Sequence, residues 1–124
     1  MFYKAGKRNA LAISLCSCAV YMGERQGAVG EIAVALGSVA PTAVRAQRAE
    51  KVLAGARPSE MCRNKLAGPA GDVSAEAAFR ERLRAALMED IAPIADIRAT
   101  AEYRRRIAFR MVLHNVTELW RCFE

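Results

Sequence analysis

Residues 11–36, LAISLCSCAVYMGERQGAVGEIAVAL, decide the fold. Leu11 to Met22 predicts a strand. Leu11, Ile13, Leu15, Ala19 and Tyr21 fall on one face, and Cys16, Cys18, Val20 and Met22 on the other. Both faces are largely apolar, which predicts a strand that is central or covered on both sides. GERQG, from Gly23 to Gly27, is a polar turn with a glycine at each end. Glu31 to Ala40 predicts a second strand, with Ile32, Val34 and Leu36 facing one way and Ala33, Ala35 and Gly37 the other. The small face would let another layer approach closely. Two such strands joined by so short a turn predict an antiparallel hairpin. On the N-terminal side the first strand opens abruptly on Lys7, Arg8 and Asn9.

C-terminal to the hairpin the pattern becomes helical. Pro41 and Thr42 end the second strand, and Ala43 to Arg45 can add a short third one. A helix is expected from about Ala46 to Ala54, stopping at Gly55. The stretch to Val73 carries Pro58, Gly68, Pro69 and Gly71 and reads as loop, with one short helix at Ser59 to Leu66. Ser74 is a candidate N-cap for the next helix, and Glu76 suits its first turn. Phe79, Leu83, Leu87 and Ile91 recur at steps of four, the stripe of an amphipathic helix. Pro93 interrupts it. The last helix is expected to start near Asp96 or Thr100. Its buried side is expected to carry Tyr103, Ile107, Met111, Val112, Val116, Leu119 and Trp120. Strands first and helices after argue for an α+β fold, a small antiparallel sheet of about three strands packed on three helices. No internal repeat is present.

A chain of 124 residues, 53% hydrophobic, makes one domain with a real core. No apolar run is long enough to span a membrane. The run after the basic head is interrupted by Ser14 and Ser17, and Tyr21, Met22 and Gly23 make a poor cleavage site, so a strand is expected rather than a signal peptide, in a cytoplasmic protein. Cys16, Cys18, Cys62 and Cys122 form no C-x-x-C pair, and His114 is the one histidine. The spacing does not suit a zinc site, and reduced thiols packed as small hydrophobes are expected. Net charge is +6, with 19 Lys and Arg against 13 Asp and Glu. The cations are scattered except for Arg104, Arg105 and Arg106, which read as a solvated helix face. There is no Ser-His-Asp set, H-E-x-x-H, P-loop or G-x-G-x-x-G. GAVGE at Gly27 lies in a hairpin turn and not between a strand and a helix, so it is not a phosphate cradle.

Three blocks carry a family resemblance. FYKAGKRNALAISLCSCAVYM, residues 2–22, resembles the opening of the C-terminal domain of the FAD-binding (medium) subunit of molybdenum hydroxylases, the family of carbon monoxide dehydrogenase and xanthine dehydrogenases. GEIAVALGSVAPTAVRAQRAEKVLAG, residues 30–55, resembles its second strand, G-S-V-A-P-T-x-x-R-A turn and following helix. IAPIADIRATAEYRRRIAFRMVL, residues 91–113, resembles its P-x-x-D-x-R-x-x-x-x-Y-R-R segment. The resemblance implies a single domain over residues 1–124 with a small antiparallel sheet on three helices. It implies an oxidoreductase component that is not active alone. FAD would be shared with an N-terminal domain, absent from this sequence, whose glycine-rich loops hold the flavin phosphates. Molybdenum cofactor and iron–sulfur clusters would reside only in partner subunits. No nucleic-acid or membrane partner is implied.

The resemblance also accounts for the basic opening. The segment matching Lys4 to Ile13 is in the family a loop and strand start beside the isoalloxazine ring. Lys4 matches a flavin-contacting lysine, and Ala12 and Ile13 match positions near the ring. A cation there stabilises the negative charge of reduced flavin, and a small or aliphatic residue lies against the flat ring face. Asp96, Arg98, Tyr103 and Arg104 are assigned to structure, with Asp96 capping the last helix, Arg98 pairing with an oxygen and Tyr103 anchoring the helix to the sheet. No residue is assigned to catalysis or to a metal. A basic α+β module docking on an anionic partner such as nucleic acid is the alternative reading; the order of the three blocks favours the flavoprotein.

Overall fold

The computed structural model describes residues 1–6, 13–57 and 73–123. Among the described residues four strands form one antiparallel sheet in the order of the chain: β1 (Phe2–Gly6), β2 (Ser14–Arg25), β3 (Ala28–Gly37) and β4 (Val44–Arg45). Three helices follow among them: α1 (Gln47–Leu53), α2 (Val73–Asp90) and α3 (Ala101–Arg121). The α+β class stands, with one strand more than expected. β1 was hidden because FYKAG is too short to show alternation. Its register, Tyr3 opposite Cys18 and Ala5 opposite Cys16, turns Tyr3 and Ala5 inward and Phe2 and Lys4 outward.

The hairpin is tighter than the glycines of GERQG suggest. β2 runs on to Arg25, and only Gln26 and Gly27 form the loop, with φ of 55° and 73°. Positive φ at both central residues is the type I′ turn, whose twist matches that of the strands. Gly30 is an extra residue between the pairs Gly23–Glu31 and Glu24–Val29. A Cβ there would lie 2.8 Å from Arg25 Cβ, so the bulge depends on glycine.

The core lies between the sheet and the helices. Cys16, Cys18, Val20 and Met22 from β2, and Val34 and Leu36 from β3, are buried there, while Ile32 is half-buried at its margin. The expected apolar stripe is buried in full: Phe79, Leu83 and Leu87 on α2, and Ile91 directly after it. Leu15 departs from the alternation. Ala5 pairs with Cys16 and Gly6 with Ser14, so Leu15 is the extra residue of a β-bulge and is buried beside Cys16. Of the two arrangements expected for β2, central or covered on both sides, the first holds. β2 is interior in the sheet, the described helices pack on one of its faces, and Tyr21 on the other is exposed.

Helix ends bring further corrections. α2 already contains Val73, so Ser74 sits within its first turn and is not the cap. α3 is capped by Thr100, whose Oγ1 accepts the Tyr103 N–H at 3.1 Å. Asp96 caps the preceding turn instead, accepting the N–H groups of Arg98 and Ala99, each at 2.9 Å. The buried stripe of α3 is Arg104, Ala108, Val112, Val116 and Trp120, with Asn115. Tyr103, Ile107 and Met111 only flank it. The short helix expected at 59–66 and Cys62 lie outside the described residues.

Candidate functional site

The free face of the sheet is built from small residues. Directly paired residues share a face, so the pairs Phe2–Ala19, Lys4–Ser17, Ser17–Gly37, Ala19–Ala35, Tyr21–Ala33 and Ala35–Arg45 lie together on the side away from the helices. Ala19, Ala33 and Ala35 make the floor of an open groove of about 510 Å³, with Phe2, Tyr21 and Arg45 at its rim. Gly37, on the same face opposite Ser17, leaves no room for a side chain, since a Cβ there would meet Ser17 Oγ at 2.5 Å.

Lys4 is exposed on β1, the edge strand, beside this floor. Ile13 is 62% exposed and precedes β2. Gly6 pairs with Ser14, so the chain enters β2 two residues along β1 from Lys4. Lys4 and Ile13 therefore come to one corner of the sheet. Ala12 lies outside the described residues.

That corner is braced from the far end of the sequence. Arg104, only 6% exposed, donates from Nη1 to the carbonyl oxygens of Leu15 (2.7 Å) and Ser38 (3.0 Å), and from Nη2 to Asp96 Oδ2 (2.8 Å). Ser38 has a φ of 63°. The N–H groups of Ala99 and Arg98 and the Arg104 guanidinium hold the Asp96 carboxyl well below the usual range, at about 2. The reading of Arg104 as part of a solvated triplet is thus corrected: Arg105 and Arg106 are exposed, and Arg104 is an internal clamp. The available signal was its place at steps of four before Ala108, Val112, Val116 and Trp120. Arg98 meets Asp96 at 3.7 Å, as its expected pairing with a carboxylate requires.

The remaining chemistry-bearing residues are quiet. Burial pushes the Cys16 thiol up to about 11 and that of Cys18 up to about 12, which makes both poor nucleophiles. They share the inner face, as their spacing predicts. His114 is exposed and stacks edge-on against Tyr3, with ring centres 4.7 Å apart. Among the described residues no group of His, Cys, Asp and Glu could hold a metal ion, and no helix is long and apolar enough to cross a membrane.

A four-stranded antiparallel meander with its helices on one face is a small α+β domain, and comparison with known proteins gives its family. The chain belongs to the CO dehydrogenase flavoprotein C-terminal domain family, whose family model matches residues 1–88. Carbon monoxide dehydrogenase from Hydrogenophaga pseudoflava, in a structure lacking the Mo-pyranopterin moiety of the molybdenum cofactor, aligns with a TM-score of 0.69 and 27% identity over 92% of this chain and 33% of that one. Reconstituted CO dehydrogenase from Oligotropha carboxidovorans aligns with a TM-score of 0.69 and 22% identity, over 91% and 33%. Quinoline 2-oxidoreductase from Pseudomonas putida 86 aligns with a TM-score of 0.69 and 21% identity, over 98% and 36%. The last two likenesses speak for the fold alone. The chain spans about a third of the length of the solved chains it matches. Comparison with curated proteins gives no match.

Proposed function

We propose that this chain forms one wall of a flavin site, and part of the subunit contact, in an oxidoreductase of the molybdenum hydroxylase type. The observation that carries the reading is the exposed Lys4 beside the small-residue floor of the open sheet face, in a chain whose family is named for a flavoprotein. A bound flavin supplies the electron relay between a donor and an acceptor. In this reading iron–sulfur and molybdenum subunits of the same complex stand on the donor side.

The residues present fit one part of such a cofactor. A flat apolar floor suits a ring face, Ile13 offers an aliphatic contact, and the Lys4 ammonium stabilises negative charge at the ring edge. A dinucleotide's pyrophosphate calls for backbone N–H groups at glycine-rich turns and helix N-termini. The glycines with positive φ among the described residues, Gly27 and Gly55, serve the hairpin loop and the end of α1. The pyrophosphate is therefore assigned to a separate flavin domain, and Ala12 keeps the place near the ring that the family resemblance implies. The domain holds neither substrate nor metal in this scheme and is not active alone.

The test is a redox titration of this chain fused behind the portion of the H. pseudoflava chain outside the match. Lys4→Ala is expected to weaken reduced flavin relative to oxidised by about threefold, the scale of one exposed charge interaction, and so to lower the midpoint potential. An unchanged potential removes Lys4 from the site.

A further inference from the structure

We infer that Arg104 is a positioning residue for the flavin-facing corner: through Leu15, Ser38 and Asp96 it fixes the start of β2, and through β2 it sets Lys4 on β1. This inference rests on the flavin reading above. Three segments far apart in sequence meet at the one guanidinium. Leu15 O at 2.7 Å belongs to the bulged entry of β2, Ser38 O at 3.0 Å to the exit of β3, and Asp96 Oδ2 at 2.8 Å to the turn before α3. Asp96 is itself held by the N–H groups of Arg98 and Ala99. The segment before that turn is tied to the loop after β3 as well, since the Ala92 N–H donates to Val39 O at 2.9 Å.

The geometry explains why arginine is needed. A planar fork can reach two carbonyls and a carboxylate at once, whereas an ammonium is a single point of donation. The Leu15 carbonyl is the group to hold. A bulge leaves its extra residue out of the ladder, so nothing in the β1–β2 pairing fixes it. Ile13 lies two residues before this anchor. Lys4 is opposite Ser17, two residues after it. Loosening Leu15 therefore loosens both residues assigned to the ring, although Arg104 lies on the helix side of the sheet and the ring is assigned to the open side.

Two variants test this, because Arg104→Ala takes the guanidinium donor from the Leu15 and Ser38 carbonyls and endangers folding. Arg104→Lys keeps the charge and loses the fork; Asp96→Asn is milder and leaves both carbonyl bonds in place. In the 124-residue chain, hydrogen exchange of folded Arg104→Lys is expected to speed up about tenfold at residues 14–17 and 37–39, and to stay unchanged at the distant hairpin end, residues 22–32. In the fusion with the H. pseudoflava portion, Arg104→Lys is expected to lower the flavin potential in the same direction as Lys4→Ala but by less, with Asp96→Asn smaller still. Added to Lys4→Ala, Arg104→Lys is expected to shift the potential little further, since it acts through Lys4. A merely structural clamp lowers the unfolding midpoint and leaves the potential alone. If Lys4→Ala shifts the potential and Arg104→Lys does not, or if the two shifts simply add, the positioning role is wrong and the flavin reading stands. If neither variant shifts it, the flavin reading fails and takes this inference with it.

Discussion

Leu36 and Asp96 show how single residues carry this fold. Leu36 is 1% exposed on the inner face of β3, where Val34 and the helices enclose it. Leu36→Ala is expected to cost about 2–5 kcal/mol in chemical denaturation, the range for a buried leucine; a loss under about 0.5 kcal/mol would mean the face is not buried. Asp96 governs acid behaviour. Its folded value of about 2 lies below the unfolded one, so its contribution is present above the unfolded value and is lost as pH falls through the folded one. Stability is expected to decline between about pH 4 and about pH 2, and Asp96→Asn to flatten that part of the curve in urea midpoints taken across it. An equal slope in the variant would mean that other carboxyls carry the acid loss. Burial of Leu36 was legible because a strand's period of two marks its face. Burial of Arg104 was not, because arginine in a basic run looks solvated until the carbonyls it serves are known, and those lie 89 and 66 residues away.

At the scale of elements, α1 is the instructive case. Ala46, its N-cap residue, offers no side-chain acceptor, yet the N–H groups of Arg48 and Ala49 are satisfied. Both donate to Asp90 Oδ2, at 2.9 and 3.1 Å, from the last residue of α2. A carboxylate is out of place at the C-terminus of its own helix, but it serves the N-terminus of another. Asp90→Ala is expected to destabilise by about 1–2 kcal/mol, as loss of an N-cap does, and Asp90→Asn, which keeps an acceptor, by less. Equal losses would point to charge and not capping as the contribution. Sequence periodicity located β2, β3 and α2, and the break at Pro41 and the stop at Gly55 marked β4 and α1. It could not give β1, five residues long, nor the cap of α1, which arrives from a distant helix. In α3 the expected Val112, Val116 and Trp120 are buried, but the N-terminal half of the stripe was placed one residue early, because Tyr103, Ile107 and Met111 form an apolar row as regular as the true one, in which Arg104 stands first.

At the largest scale, the decisive feature is asymmetry: among the described residues, one face of the sheet is closed by helices and the other is open over Ala19, Ala33 and Ala35. Alternation in β3 had marked its small face as one that another layer could approach, while the largely apolar faces of β2 marked a strand central or covered on both sides, and it is interior in the sheet. The candidate site was legible only through the family blocks, since an exposed lysine and an exposed isoleucine carry no signature of their own. On this account the chain supplies ring contacts and a separate flavin domain supplies the pyrophosphate site. The few ring contacts must offset a cost of about 4 kcal/mol or more for immobilising a large, flexible cofactor. The most direct measurement is an absorbance titration of FAD into the 124-residue chain, into the portion of the H. pseudoflava chain outside the match, and into the two together. The account predicts no saturable uptake by the chain by itself, and tighter flavin binding by the pair than by the flavin portion without it. Stoichiometric yellow flavin on the 124-residue chain, or a flavin affinity that its addition leaves unchanged, would contradict the account.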